Sequence, residues 1–477
     1  MRTRALWMLL LLAGAAGRAG AQTAAGGGVS DGDRYLCGQA SAKQSLAACT
    51  RLINDKDVSR EVRVLALRNR GYEFQVAGDL DKAIADYTTV LKLTGDDRDN
   101  AKLYVNRGLA YALKREVDRA LADYDEAVRL NPGLATAYIN RAATHMDRGD
   151  DRGAIADLGA AIQLQPRDAS LYVSRGAVHA HAGDTDNAIA DDTAAIGLDK
   201  ANAMAWRNRG AAYRVKGDNA RAEADAAEAV RLDPAMAAAH TDLALSLQAA
   251  GQAEKAIAEF GKAIRLAPTD AETIKARGDA YLAEGDRDRA IADYTQAIGL
   301  DPKLTSAYNN RGVAYVGRSD LDHAIADFTT AIGQDPSEAA AFVDRGQAYQ
   351  AKGDADRAIA DYDQVIALAP ENVVALRQRA FLRQAKGDNQ GAVADYSRAI
   401  TLAPKDADAL RGRGFAELIL HRDDAAIADL TAAIALNPGD ALAYRFRSKA
   451  FVAAHDLTHA VSDDQAALRL AAKAPGG

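Results

Sequence analysis

A chain of 477 residues would ordinarily fold as about three domains, but a regular period overrides that expectation: residues 64–474 divide into twelve units of 34, with a three-residue insertion at 98–100. The 66 residues outside the repeats leave no stretch in which a separate catalytic domain could fold, so no enzyme activity and no cofactor are expected. With 48% hydrophobic and 26% charged residues and a formal charge of −7, the composition excludes a disordered chain and disfavours a nucleic-acid binder.

Residues 1–21 read as a signal peptide. Arg2 and Arg4 precede an apolar run from Ala5 to Ala16, and Ala19, Gly20 and Ala21 follow in the small-x-small order that precedes cleavage. The run is shorter than the roughly 20 apolar residues of a membrane span. The expectation is therefore cleavage after Ala21, a mature chain without a membrane span, and a periplasmic or secreted location. Losing three arginines and no acid takes the formal charge to −10.

Residues 22–63 form a linker and a capping half-repeat, because Ser45 to Ile53 aligns with Ala83 to Leu91 and puts Cys49 in the place of Tyr87. The chain has two cysteines, Cys37 and Cys49. Export into an oxidising compartment makes a disulfide the natural inference, with a pair of free buried thiols as its rival. No histidine lies close enough in sequence for a zinc site, and none is expected.

Proline recurs every 34 residues from Pro132 to Pro438 with one step missed at Lys200, and such self-similarity signals a solenoid. Each repeat reads as an A helix, a turn often spelled Gly-Asp (Gly149 Asp150, Gly183 Asp184, Gly217 Asp218), and a B helix such as Ala290 Ile291 Ala292 Asp293 Tyr294. Glycine suits a left-handed helix stop, and the aspartate can accept from the free amides that open the next helix. Repeat 1 spans 64–97, repeats 2–12 run from 101 to 474, and 475–477 are a tail.

These residues resemble the tetratricopeptide repeat (TPR) family. In repeat 2 the family's aromatic, small and proline places hold Tyr104, Gly108, Tyr111, Ala120, Tyr124, Ala127 and Pro132. The resemblance implies an all-α fold, a right-handed superhelical solenoid of helix-turn-helix units. It also implies a non-catalytic scaffold that holds peptide segments or partner proteins in a concave groove. The family's clamp for carboxylate-ended tails is not expected: Asn69, Asn106, Asn140 and Lys102 match parts of it, but the companion asparagine is absent.

Twelve copies can be compared with one another. The seventh place holds arginine in eleven repeats, from Arg70 to Arg447, with Leu243 the exception; the place before the B-helix aromatic holds aspartate in eleven, with Glu259 the exception. Both exceptions fall in repeat 6. An Arg–Asp pair between the two helices of each repeat follows as an expectation. The B-helix aromatic place holds Asp192 and Ala226 in repeats 4 and 5, which predicts a soft joint near 158–226. His145 and His179 occupy an A-helix aromatic place and read as core substitutes, whereas His455 and His459 read as surface residues.

The family's groove places are the second, fifth, sixth, ninth, twelfth and thirteenth of each A helix. The sixth holds Asn69, Asn106, Asn140, Asn208 and Asn310, whose amides could bind a peptide backbone. The fifth holds Arg377, Arg411 and Arg445 in consecutive repeats, a mildly positive stretch expected to prefer acidic segments or anionic glycans. The competing reading is a structural array that self-associates through its end repeats.

Overall fold

The computed structural model describes residues 31–39, 42–95 and 97–472. The signal peptide expected at 1–21 and the tail at 475–477 lie outside the described residues. Within them the chain is all-helical, twenty-six α-helices and one 3₁₀ turn, Arg98–Asn100, which accounts for the insertion.

The rhythm is set by the turns. A helices such as Ala203–Val215 run for 13 residues and B helices such as Asn219–Leu232 for 14. Between them Gly217 takes φ +76° and Asp218 accepts from the backbone amide of Arg221. Gly149, Gly183, Gly285, Gly353 and Gly387 repeat the left-handed stop. Arg115, Ser319, His421 and His455 adopt the same positive φ without the freedom of glycine.

Two compact units result, one ending at Gln252 and one starting at Ala253. The boundary falls in repeat 6, the repeat that carries Leu243 and Glu259. The first unit opens with helices Asp31–Gln39 and Ala42–Asn54, which pack on the A helix Arg60–Val76. That A helix starts four residues ahead of the repeat frame, with Ser59 capping it through the amide of Val62. Cys37 and Cys49 form a disulfide with Cα atoms 4.7 Å apart, and both are buried with Leu52, Val58 and Ala66. The pairing answers the question the sequence left open, and Cys49 fills the core place that Tyr87 fills one repeat later.

Where a B-helix aromatic is present, the A-helix glycine lies flat on its ring. A Cβ added to Gly71, Gly108, Gly278 or Gly312 would come within 2.6–2.8 Å of the ring of Tyr87, Tyr124, Tyr294 or Phe328. All four rings are fully buried.

Candidate functional site

The arginine and aspartate columns meet as the repeats imply. In all eleven repeats that carry both, from Arg70 with Asp86 to Arg447 with Asp463, Nε and Nη2 of the arginine donate to the two carboxylate oxygens 2.6–3.0 Å away. The remaining arm reaches back to the preceding B helix. Nη1 of Arg107, Arg209, Arg311, Arg345 and Arg447 donates to a threonine hydroxyl, Nη1 of Arg413 to Ser397, and Nη1 of Arg141 and Arg379 to Asp125 and Asp363. Each such arginine therefore ties its own repeat together and the repeat to its predecessor. The residue preceding Leu243 by sixteen is Ala227, which has no acceptor to offer, so arginine and its inter-repeat partner are lost together in repeat 6. Desolvation offsets much of the attraction in such half-buried pairs, so their main effect is to fix register.

The expected groove asparagines do not face outward alike. Asn69, Asn106 and Asn140 are buried, while Asn208 and Asn310 are half-buried. Asn310 donates to Asp279, which also accepts from the Tyr294 hydroxyl. In repeat 8 the Asn310 amide is thus engaged beside the tyrosine hydroxyl of repeat 7, whereas the buried Asn140 amide makes no hydrogen bond among the described residues.

The fifth-place cations are engaged too. Arg207 pairs with Asp242 at 2.7 Å and Lys275 with Asp279 at 2.8 Å. Arg377 lies 3.2 Å from Asp406, and Arg411 lies 2.5 Å from Asp440 and 2.8 Å from Asp408. Arg445 is exposed. Asp406 and Asp440 are N-caps that end the preceding repeat, so a count restricted to A-helix places overstates the positive charge.

Arg377 and Arg411 nevertheless border a site. In the second unit, A helices Val373–Ala385, Ala407–Ile419 and Ala441–Ala453 line a cavity of about 510 Å³. Phe381, Phe415, Phe446 and Leu442 supply apolar walls, and Gln378, Gln384, Asp408 and Tyr396 supply polar atoms. Phe415 and Phe446 stack with centroids 4.3 Å apart, and Phe381 is 53% exposed. All the A-helix residues in this lining fall at the groove places. Sequence reasoning counted charges there and missed the three phenylalanines, whose clustering at the sixth and ninth places of consecutive repeats was the available signal.

Tyr396 belongs to the site through a local exchange of glycines. Repeat 10 has Ala380 where its neighbours have the ring-bearing glycine, and repeat 11 has Gly412 in the asparagine place. The ring leans accordingly toward the next A helix: a Cβ on Gly412 would lie 2.6 Å from Oη and 2.7 Å from Cε1. Tyr87 and Tyr362 donate to a twelfth-place glutamine, Gln75 and Gln350, but the equivalent Gln384 donates to the Gly412 carbonyl instead. Burial pushes the Tyr396 hydroxyl up to about 12, against the pull of the Arg411 and Arg377 guanidinium groups.

Family models described as tetratricopeptide repeat match residues 207–271, 309–373 and 346–411, and one described as TPR repeat matches 278–319. The chain is a tetratricopeptide repeat protein. A further model, described as the ETO1 C-terminal domain, matches residues 75–206 of this TPR array. Among solved structures, MamA is 25% identical over 35% of this chain and 96% of its own, with a TM-score of 0.34. YrrB, titled a TPR protein with an unusual peptide-binding site, is 24% identical over 39% and 95%, TM-score 0.34. Pseudomonas aeruginosa pilF is 19% identical over 45% and 96%, TM-score 0.40. No curated protein matches. The TPR protein is accordingly a protein-interaction scaffold. No helix of the described residues is long and apolar enough to cross a membrane, and no group of metal-ligating side chains is found among them.

Two other polar features lie in the first unit of the TPR array. His145 and His179 are half-buried rather than core residues, each with Nδ1 beside the next helix's capping aspartate, Asp150 at 2.8 Å and Asp184 at 3.2 Å. Asp192 is 1% exposed, and its Oδ1 has no hydrogen-bond partner among the described residues. Burial pushes its carboxyl up to about 8; Asp191 and Asp225 add to the shift and Arg209 opposes it.

Proposed function

We propose that this TPR protein is an exported scaffold that holds extended segments of partner proteins along the concave A-helix face, with the second unit's cavity as its main anchoring point. The observation that carries the reading is the lining of that cavity by groove places of three consecutive repeats, with three phenylalanines and two arginines at its rim. Such convergence of apolar walls and a few polar groups marks a binding pocket. The Cys37–Cys49 disulfide supports export, since such bonds persist in oxidising compartments. A photocrosslinking residue at Leu442, which is 49% exposed beside the cavity, should capture partner segments that mass spectrometry can map. Crosslinks obtained with equal yield from the outer B-helix residue Leu300 would defeat the reading.

One observation favours self-association as a second reading. The last helix, Leu457–Ala471, exposes Leu457, Val461 and Leu468 by 65%, 57% and 70%. Val461 and Leu468 stand in the places of Ile291 and Ile298, which repeat 7 packs into its core cluster. Light scattering that shows no concentration dependence, and no change on Val461→Glu, would exclude it.

A further inference from the structure

We infer that the cavity of repeats 10–12 takes an aromatic side chain of a bound segment, with the Tyr396 hydroxyl donating to a backbone carbonyl of that same segment. The inference rests on the scaffold reading above and adds the chemistry of the anchor.

Three observations carry it. The first is the unused hydroxyl. Tyr396 is 2% exposed, lines the cavity, and makes no hydrogen bond to any described residue, whereas Tyr87, Tyr294 and Tyr362 each donate to a side chain of their own repeat; the Tyr124 hydroxyl also lacks a partner but is enclosed. The Tyr396 oxygen is not enclosed and opens to the cavity that Tyr396 lines. The exchange that frees it is built into two positions: Ala380 closes the place under the ring's own helix, and Gly412 opens the next helix to it. A side chain at 412 would shut this window.

The second observation is the wall. Phe415 and Phe446 stack on one another, and Phe381, half-exposed, stands across the same cavity. Ring faces and edges arranged this way favour another aromatic group in offset or edge-on contact. A cavity of about 510 Å³ accommodates one such ring with the peptide unit that carries it.

The third is charge. Arg377 and Arg411 would select an acidic group if they were free, but Asp406, Asp408 and Asp440 already engage them. Two cations against three carboxylates give the rim no positive excess. A neutral ring with a carbonyl acceptor fits this balance; a carboxylate would have to displace one already bound.

The test uses the whole mature chain. A displayed library of random dodecapeptides is selected on it, and the winning peptide is synthesised and titrated calorimetrically. The inference expects an aromatic residue in every winner, and affinity that changes less than threefold between 50 and 500 mM salt. It further expects weakening of about fivefold by Tyr396→Phe and at least tenfold by Phe381→Ala, but less than threefold by Arg411→Gln. Phe381 is exposed and Tyr396→Phe keeps the ring, so both variants should retain full helicity. Winners rich in acid, with salt-sensitive binding lost in Arg411→Gln, would overturn the inference and leave the scaffold reading standing. The same holds for winners that bind equally to Tyr396→Phe and Phe381→Ala. A library that yields no binder would overturn both.

Discussion

Repeats 4 and 5 and repeats 7 to 10 share a helical frame but not a core. In the later repeats Tyr294, Phe328, Tyr362 and Tyr396 fill the space between A and B helices, while in the earlier ones the same place holds Asp192 and Ala226. The helices have not closed up to compensate. A Cβ on Gly176 or Gly210 would meet the B helix's Asp191 or Asp225 Cβ at 3.3 or 3.2 Å, as it would meet Asp86 Cβ at 3.3 Å from Gly71, where a tyrosine is present. Helix spacing is thus set elsewhere, and the Arg–Asp pairs, present in both regions with the same bidentate geometry, are the common element that can set it.

The largest contrast should come from emptying the aromatic place. Phe328→Ala removes a fully buried ring and should cost about 3–5 kcal/mol. Asp192→Ala, in the equivalent place, should cost nothing or stabilise at pH 8, because it removes a buried carboxyl without a partner. Urea unfolding combined with hydrogen exchange resolved by repeat measures both. Equal losses at the two positions would erase the proposed distinction between the regions.

The Arg–Asp pairs should behave alike in both. Arg311→Leu alone leaves the Asp327 carboxylate unpaired and should cost about 3 kcal/mol, whereas adding Asp327→Leu should recover part of that loss. The Arg209 and Asp225 cycle should give the same coupling. Additive effects in either cycle would show that the pair does not act as a unit there.

Asp192 gives the earlier region a pH dependence at the aromatic place itself. Its carboxyl is raised in the folded chain to about 8 by burial, so the folded state keeps a proton that the unfolded state has released. The stabilisation this brings is complete below about pH 4 and is lost as pH climbs to about 8. Against Asp192→Asn, the wild type should lose on the order of 1–3 kcal/mol across that window, seen as faster hydrogen exchange in helices Thr185–Leu198 and Ala203–Val215. Parallel pH profiles of the two chains would remove the effect.

Twelve near-copies made much of this legible beforehand. The 34-residue period implied paired helices, and the fixed offset of sixteen between Arg70 and Asp86, repeated down the chain, implied the pairing that the structure contains. What stayed hidden depended on residues outside the columns being compared. Asp406 and Asp440 neutralise Arg377 and Arg411 from the last position of the arginines' own repeats, outside the A helix, and Asn69, Asn106 and Asn140 are buried. The Tyr396 window depends on two single-repeat changes, Ala380 and Gly412, whose joint effect appears only when the ring is placed between them.

The smallest expected effect concerns the turns, in which the two regions differ only at repeat 8, since repeats 7, 9 and 10 also turn through glycines, Gly285, Gly353 and Gly387. Repeats 3 to 5 turn through Gly149, Gly183 and Gly217, all with positive φ that glycine adopts freely, while repeats 8, 11 and 12 force Ser319, His421 and His455 into the same conformation at φ 61°, 56° and 62°. A non-glycine residue there is held about 1 kcal/mol or more above its preferred backbone. His421→Gly should relieve that strain but gives the unfolded chain more freedom, so the net gain should be about 0.5–1 kcal/mol. Gly217→His should lose a similar amount at the matching turn. The exchange touches neither aromatic core nor Arg–Asp pair, so thermal melts of the two variants report the turn alone. If His421→Gly destabilises, the histidine side chain holds the turn through contacts of its own, and the glycine and non-glycine turns are not equivalent.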